Sequence, residues 1–201
     1  MNNVLYDPLP EEWNGYLLNT WFQIGVQVYI IFDDETLSDY EKDDLILYLL
    51  FGNEDGSIRS HPDGEDLGDC INWFLNGWSH DNSSKRVNKQ KVLDFYVDQW
   101  RIYADFRQIY GVNLNEINLH WWEFCGMLWN MPQKNSSFLQ VVEIRKKTIR
   151  RNMGKEEREY IKDAQSVYAL KQPKKEQKYT KEEEKKIDDF DRMIAERRQG
   201  K

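Results

Sequence analysis

The stretch from Trp100 to Trp129 constrains the fold of this chain more than any other, because its aromatic side chains have to be removed from water. It contains four of the eight tryptophans, with Tyr103, Phe106, Tyr110 and Phe124 between them. Aromatic side chains bury large areas and dominate the energetics of cores and interfaces. No catalytic motif lies inside the stretch, so it indicates packing and recognition rather than chemistry.

Charge is distributed unevenly over the 201 residues. Residues 1–80 hold 16 acids and 2 bases, residues 81–170 hold 11 acids and 15 bases, and residues 171–201 hold 8 acids and 11 bases, for a net charge of -7. Nucleic acid is disfavoured as the main partner, because phosphate binding needs a dense basic face. Neither a signal peptide nor an apolar run of roughly 18 residues is present, which predicts a cytoplasmic protein without a membrane segment.

Hydrophobic periodicity predicts an all-α fold, an irregular bundle of about six to seven helices. In the front half, residues 17–32 favour a helix with Thr20 as its N-cap, although their β-branched content would also suit a strand. Ser38 and Glu41 match a capping box, which predicts a second helix. A third amphipathic helix begins near Asp66.

Four more helices are predicted in the second half, over about 91–110, over about 117–130, after a cap at Ser136, and over 155–170. The first of them carries an aromatic stripe that predicts its core face. This stripe consists of Val92, Tyr96, Trp100, Tyr103, Phe106 and Tyr110.

Two polar segments predict the domain organisation. Residues 1–170 form a helical domain with an internal hinge near 79–90, and residues 171–201 form a mobile linker followed by a charged amphipathic C-terminal helix. The apolar seam of that helix is narrow and consists of Ile187, Phe190 and Ile194. A helix this short is not stable alone, so it needs a partner, another copy, or the body of the protein.

No residue pattern indicates a catalytic, cofactor or metal site. The histidines, His61, His80 and His120, lack the spacing of zinc ligands. The acidic runs 33–35 and 39–44 lack the pattern of a calcium loop. We therefore expect that the protein is not an enzyme, and that it uses no cofactor and no metal.

The basic run from Arg145 to Arg151 has two interpretations. On a continuous helix, Lys146 would align with Arg150 and Lys147 with Arg151, and this face could contact nucleic acid. Alternatively the run complements the acidic first 80 residues. The acidity of the whole chain favours the second interpretation.

Trp121 and Trp122 raise the question of an interface. They are adjacent and lie roughly 100° apart on a helix, so a single packing face cannot easily bury both. Either one of them anchors a partner, or the helix is buried on two sides. The residues predicted to contact a partner are Trp121, Trp122, Phe124 and Trp129, followed by Ile187, Phe190 and Ile194.

Several blocks occur in a characteristic order: YDPLPEEWNGY, LSDYEK, DFYVDQWRIYADFRQIYGVNL, HWWEFCGML, SFLQVVEIRKK and MGKEEREYIKDAQSVYAL. Together they resemble the bacteriophage gene-product-15 family of tailed phages and prophages of Gram-positive bacteria. The resemblance covers about residues 1–170.

The resemblance implies a non-enzymatic role in phage tail morphogenesis, in the host cytoplasm. Members typically lie near the tape-measure gene, where tail assembly chaperones are encoded. The implied partner is the tape-measure protein before tube polymerisation, with the tail tube, a companion chaperone or a second copy as further partners. The alternatives are a minor structural tail component that is retained in the virion and, after it, a nucleic-acid-binding regulator that uses Arg145 to Arg151.

Overall fold

A computed structural model describes residues 3–79 and 90–172, and in these ranges seven α-helices form an irregular bundle. The helices are α1 Phe22–Asp33, α2 Asp39–Phe51, α3 Glu65–Asn76, α4 Phe95–Asp105, α5 Trp121–Trp129, α6 Ser137–Lys146 and α7 Lys155–Val167. A small antiparallel hairpin precedes them, with β1 Glu12–Trp13 paired to β2 Tyr16–Leu17. The predicted all-α class is confirmed. The predicted C-terminal helix, with Ile187, Phe190 and Ile194, lies outside the described residues.

The start of α1 differs from its prediction. Thr20 is not the N-cap, because its carbonyl accepts the backbone N–H of Trp121 at 2.7 Å, and the backbone N–H of Phe22 donates to the Leu119 carbonyl at 2.9 Å. These two bonds hold Trp21 in an extended conformation, paired with His120 as an isolated antiparallel β-bridge. The helix therefore begins only at Phe22.

The start of α2 is confirmed in detail. The backbone N–H of Ser38 donates to the Glu41 carboxylate at 2.8 Å, and the Glu41 N–H donates to Ser38 Oγ at 3.4 Å. This reciprocal pair is the predicted capping box. It satisfies two backbone donors that the first turn of a helix leaves without partners.

The helix predicted over 91–110 is shorter and has two parts. It begins after Asp94, whose carboxylate accepts the N–H groups of Tyr96 and Val97 at 2.9 and 3.0 Å. After Asp105 the chain continues as a π-helical turn over Phe106–Tyr110. Gly111 closes this turn in the left-handed conformation, with φ of 69°, which favours glycine.

The basic run is not a continuous helix. α6 ends at Lys146, and Lys147 is extended, so the predicted alignment of Lys146 with Arg150 and of Lys147 with Arg151 is wrong. The last carbonyls of α6 are satisfied instead by Gln165 of α7, whose amide donates to Ile144 and Lys147. Helix α7 thus folds back onto α6.

The core is centred on α5, which packs against α1 and α3. The Phe124 ring is stacked between the rings of Phe22 and Phe106, with centroids 4.8 and 5.1 Å away, and it also stacks on Trp121. The described residues up to Lys171 form one unit. Nearly all of the predicted hinge, residues 80–89, lies outside the described part. No helix among the described residues has the length and apolar character needed to cross a membrane.

Candidate interaction surface

The tryptophan pair of α5 is buried, so its prediction as a partner contact is corrected. Trp121 is 1% exposed and Trp122 is 8% exposed, and Phe124 beside them is also buried. The alternative, a helix buried on two sides, describes the structure. These three side chains therefore belong to the core of the chain itself.

Two glycines make this burial possible. A Cβ atom at Gly25 of α1 would overlap the indole of Trp121, and one at Gly77, directly after α3, would overlap the indole of Trp122. Both indole N–H groups find carbonyl acceptors in α3: Trp121 donates to Leu75 at 3.3 Å and Trp122 to Phe74 at 2.8 Å. The pair is thus packed and hydrogen-bonded within the chain.

Trp129, at the end of α5, is half-buried. Its ring makes an edge contact with Phe138, with centroids 5.7 Å apart, and the Lys146 ammonium lies 5.6 Å from the ring centroid. It lines a cleft of about 600 Å³ together with Tyr29, Trp78 and Val92. Of the four aromatic residues predicted to contact a partner, it is the one that stays partly accessible.

The stripe predicted as the core face of α4 is wrong at Tyr96 and Trp100, because the helix presents another face to the core. The buried residues of α4 are Phe95, Asp98, Ile102 and Asp105, whereas Tyr96 and Trp100 are each 74% exposed. The buried face includes two aspartates, so in the sequence it has the pattern of a polar face. Its positions 95, 98, 102 and 105 nevertheless have helical spacing. That spacing is the signal that could have identified the true core face.

Asp98 is buried because Arg145 neutralises it. The two terminal nitrogens of Arg145 donate to the two carboxylate oxygens of Asp98, at 2.7 and 3.0 Å. Asp98 is 0% exposed and Arg145 is 3% exposed. A bidentate pair of this kind is the arrangement in which two charges can be buried together. The Arg145 guanidinium therefore pairs with Asp98 of α4, and it is not free to bind the acidic first 80 residues or a phosphate.

Asp105 is buried because it caps α6. Its carboxylate accepts the backbone N–H groups of Ser137 and Phe138 at 3.1 and 2.9 Å, and the Ser136 hydroxyl donates to it at 2.7 Å. A carboxylate at a helix N-terminus satisfies free N–H donors and interacts favourably with the helix dipole. The predicted cap by Ser136 is confirmed as well, since its Oγ accepts the N–H of Leu139.

With both aspartates turned inward, the exposed residues of α4 are uncharged, and the one-third exposed Arg101 beside them is paired with Asp98. The exposed residues within α4 are Tyr96, Val97, Gln99, Trp100 and Ala104. We call Tyr96, Val97 and Trp100 the α4 aromatic face. At its end Tyr103 meets the Trp100 ring edge-on, with centroids 6.0 Å apart, and is itself anchored by a hydrogen bond from its hydroxyl to Asn113. Most exposed residues of α2 and α7, by contrast, are charged.

The α4 aromatic face has the character of a recognition surface. Tryptophan and tyrosine are over-represented among the residues that dominate binding energies at protein interfaces. Exposed apolar surface that is framed by polar residues marks contact sites for other proteins. A helix face of this length suits the apolar side of another helix.

Both cysteines are buried and free of disulfides. Burial raises the pKa of the Cys70 thiol to about 12, and that of the Cys125 thiol still further. Both cysteines are therefore protonated at neutral pH, which makes them poor nucleophiles. No group of three or more His, Cys, Asp or Glu side chains within residues 3–79 and 90–172 could hold a metal ion.

Comparison with curated proteins and with solved structures gives no match. The model of the family described as Bacteriophage Gp15 protein matches residues 5–170. This match spans more than half of the 201 residues and includes both the tryptophan pair of α5 and the α4 aromatic face. The chain therefore belongs to the bacteriophage Gp15 protein family.

Proposed function

We propose that this phage protein is a non-enzymatic tail assembly chaperone, which binds the tape-measure protein in the host cytoplasm before the tail tube polymerises. Its family membership supports a role in a bacteriophage. The observation that carries the binding role is the α4 aromatic face, an uncharged aromatic surface on a chain of which 31% of the residues are charged.

A tape-measure protein offers the surface that this face requires. It is a long helical chain whose apolar faces are exposed until tube subunits enclose it. An aromatic face on a folded, charged protein covers such a helix by burying apolar area on both sides. Binding of this kind keeps the apolar faces from associating with each other.

The charge of the front half suits the same role. Residues 3–79 contain 16 acids against the two bases Lys42 and Arg59. A large net charge of one sign keeps proteins soluble and apart from their own copies. A complex of several such chains on one tape-measure protein would therefore stay in solution.

The test is co-expression with the tape-measure protein of the same phage, followed by pull-down. We expect the double variant Tyr96→Ala, Trp100→Ala to bind at least roughly tenfold more weakly, because anchor residues of this type carry most of an interface's energy. Its thermal stability should stay close to that of the unmodified chain, since both side chains are exposed. The matched control is Tyr160→Ala, which removes an aromatic residue that is 71% exposed on the charged helix α7.

Two results would overturn the proposal. The first is equal capture of the tape-measure protein by the α4 variant and by the unmodified chain, combined with normal tails from a phage that lacks this gene. The second is recovery of the chain from purified virions by mass spectrometry, in proportion to other tail proteins. That result would identify a minor structural tail component instead.

A further inference from the structure

A second apolar surface contains no residue of α4. It is an open groove of about 1100 Å³ between the segment 3–10, the end of α3 and the outer side of α5. We call it the arm groove. Its apolar lining includes Val4, Tyr6, Leu9, Trp73, Trp78 and Met127.

The wall formed by residues 3–10 is held in place. The Asn3 N–H donates to the Asp7 carboxylate at 2.9 Å, and the Tyr6 N–H donates to the Asn3 carbonyl at 3.0 Å, which together form a compact turn. Nε2 of His120 donates to the carbonyl of Pro10 at 3.0 Å and so fastens this segment to the start of α5. Tyr6 nevertheless remains 77% exposed. A wall that is already ordered lowers the entropic cost of binding.

The charges around the arm groove are acidic. Among the described residues of its lining, Glu123 is the charged one, and it is exposed on the first turn of α5. Asp7 lies within the turn that forms the wall. The two bases of residues 3–79 are bonded elsewhere, Lys42 to the Phe32 carbonyl and Arg59 to the Phe51 carbonyl. Glu123 and Asp7 therefore place two carboxylates beside an apolar floor.

We propose that the arm groove binds a basic amphipathic helix of a partner protein. The apolar side chains of that helix would rest on Trp73, Trp78 and Met127, and its lysines or arginines would face Glu123 and Asp7. Complementary charge of this kind selects the partner and raises the association rate. With a helix diameter of 10–12 Å, the groove volume corresponds to about two turns. The α4 aromatic face is uncharged and so selects a different chemistry.

The experiment uses the full-length chain and a fluorescent 14-residue helical peptide composed of leucine and lysine. A matched peptide carries glutamate in place of lysine. By fluorescence anisotropy we expect saturable binding of the lysine peptide that weakens with added salt, and no binding of the glutamate peptide. The variants Glu123→Lys and Tyr6→Ala should each weaken binding at least about tenfold.

Matched controls separate the groove from general attraction. Glu143→Lys reverses an exposed acid on α6, and Tyr40→Ala removes a tyrosine on α2 that is 74% exposed. Both should bind the lysine peptide as the unmodified chain does, and so should the α4 double variant. If Glu123→Lys lowers thermal stability, the result from Tyr6→Ala decides the test, because the exposed Tyr6 side chain is not needed for folding.

Three outcomes would overturn the proposal. Equal weakening by Glu143→Lys would show attraction to acidic surface in general. Loss of peptide binding in the α4 double variant would place the peptide on the α4 aromatic face. A concentration-dependent oligomer that Glu123→Lys dissociates, measured by light scattering, would show that a second copy fills the groove. The proposal is independent of the tape-measure interaction, because Glu123→Lys and Tyr6→Ala leave α4 unchanged. The peptide-binding experiment and the tape-measure pull-down can therefore each fail without the other.

Discussion

At the scale of single residues, two glycines decide what the tryptophan pair does. Adjacent positions on a helix point in different directions, so both indoles are buried only if two neighbouring elements come close. Gly25 and Gly77 allow this approach, because each leaves the space of a missing Cβ to an indole ring. A search of the sequence for interface tryptophans cannot detect this, since the sequence does not show which side chain a glycine elsewhere in the chain will contact.

Replacement of Gly25 by alanine should destabilise the fold. The added methyl group would overlap the Trp121 ring in a packed core, and we expect a loss of about 1–3 kcal/mol of unfolding free energy. Urea denaturation monitored by tryptophan fluorescence measures it. The control is Gly68→Ala in α3, where nothing lies within 4 Å of the added Cβ. There we expect a gain of roughly 0.5–1 kcal/mol from helix propensity. A Gly25→Ala variant as stable as the unmodified chain would contradict this account of the core.

At the scale of elements, Arg145 connects three helices. Besides its pair with Asp98 of α4, its Nε donates to the Tyr168 carbonyl directly after α7, and Nη1 donates to the Val92 carbonyl before α4. Asp105 ties the far end of α4 to the start of α6. These polar bonds fix the rotation of α4 about its axis. The aromatic face points to solvent as a consequence.

Replacement of Arg145 by methionine should cost about 3–5 kcal/mol, because it removes the bidentate partner of the buried Asp98 carboxylate. The remaining ion pair, with the partly exposed Arg101 at 3.3 Å, does not replace it. The double variant Asp98→Leu, Arg145→Met should recover part of this loss, since it removes both charges. Chemical denaturation of the two single variants and the double variant gives the coupling between the side chains. Arg151→Met, at an exposed position of the same basic run, serves as the control and should change stability by about 0.5 kcal/mol or less. Strictly additive effects would exclude the proposed coupling.

At the scale of the whole molecule, His120 links the N-terminal segment to the start of α5 in the core. Its Nε2 donates to Pro10, and its Nδ1 accepts the N–H of Trp122 at 3.0 Å, which caps α5. Both bonds together require the neutral ring, because a protonated Nδ1 cannot accept a hydrogen bond. Burial lowers the pKa of His120 below 6.5, although the Pro10 carbonyl and Glu11 oppose the shift.

Stability should therefore depend on pH in a defined window. A lowered pKa in the folded state means that the unfolded chain binds the proton more readily. The contribution of His120 is then complete above about pH 6.5 and is lost as the pH falls towards the folded-state pKa. The pKa values of the Asp94 and Glu41 carboxyl groups are lowered from 3.8 and 4.5. Protonation of these two groups therefore affects stability only at more acidic pH.

Thermal denaturation between pH 7 and 5 measures this dependence. His120→Asn keeps a side-chain oxygen that can cap α5 but does not titrate, so its stability should change less over this range than that of the unmodified chain. An unchanged slope in His120→Asn would show that another group is responsible.

Much of the secondary structure could be predicted from local patterns. The capping box at Ser38, the amphipathic repeat of α3 and the cap at Ser136 each depend on residues within a few positions of each other. The candidate surface could not be predicted in the same way. The orientation of α4 depends on Arg145, which lies 47 positions from Asp98, and the burial of the α5 tryptophans depends on glycines in other elements.

The sequence by itself determined the helical class, the approximate positions of the helices and the acidic front half, because these follow from composition and short-range periodicity. It also determined the family, through the order of its sequence blocks and the match to the family model. The tertiary structure alone decided which aromatic residues are core and which are surface. Trp121 and Trp122, predicted as anchors, are buried, whereas Tyr96 and Trp100, predicted as core, face solvent. The physical reason is that a buried carboxylate becomes acceptable once a distant arginine or a helix N-terminus neutralises it, and only the folded chain brings those groups together.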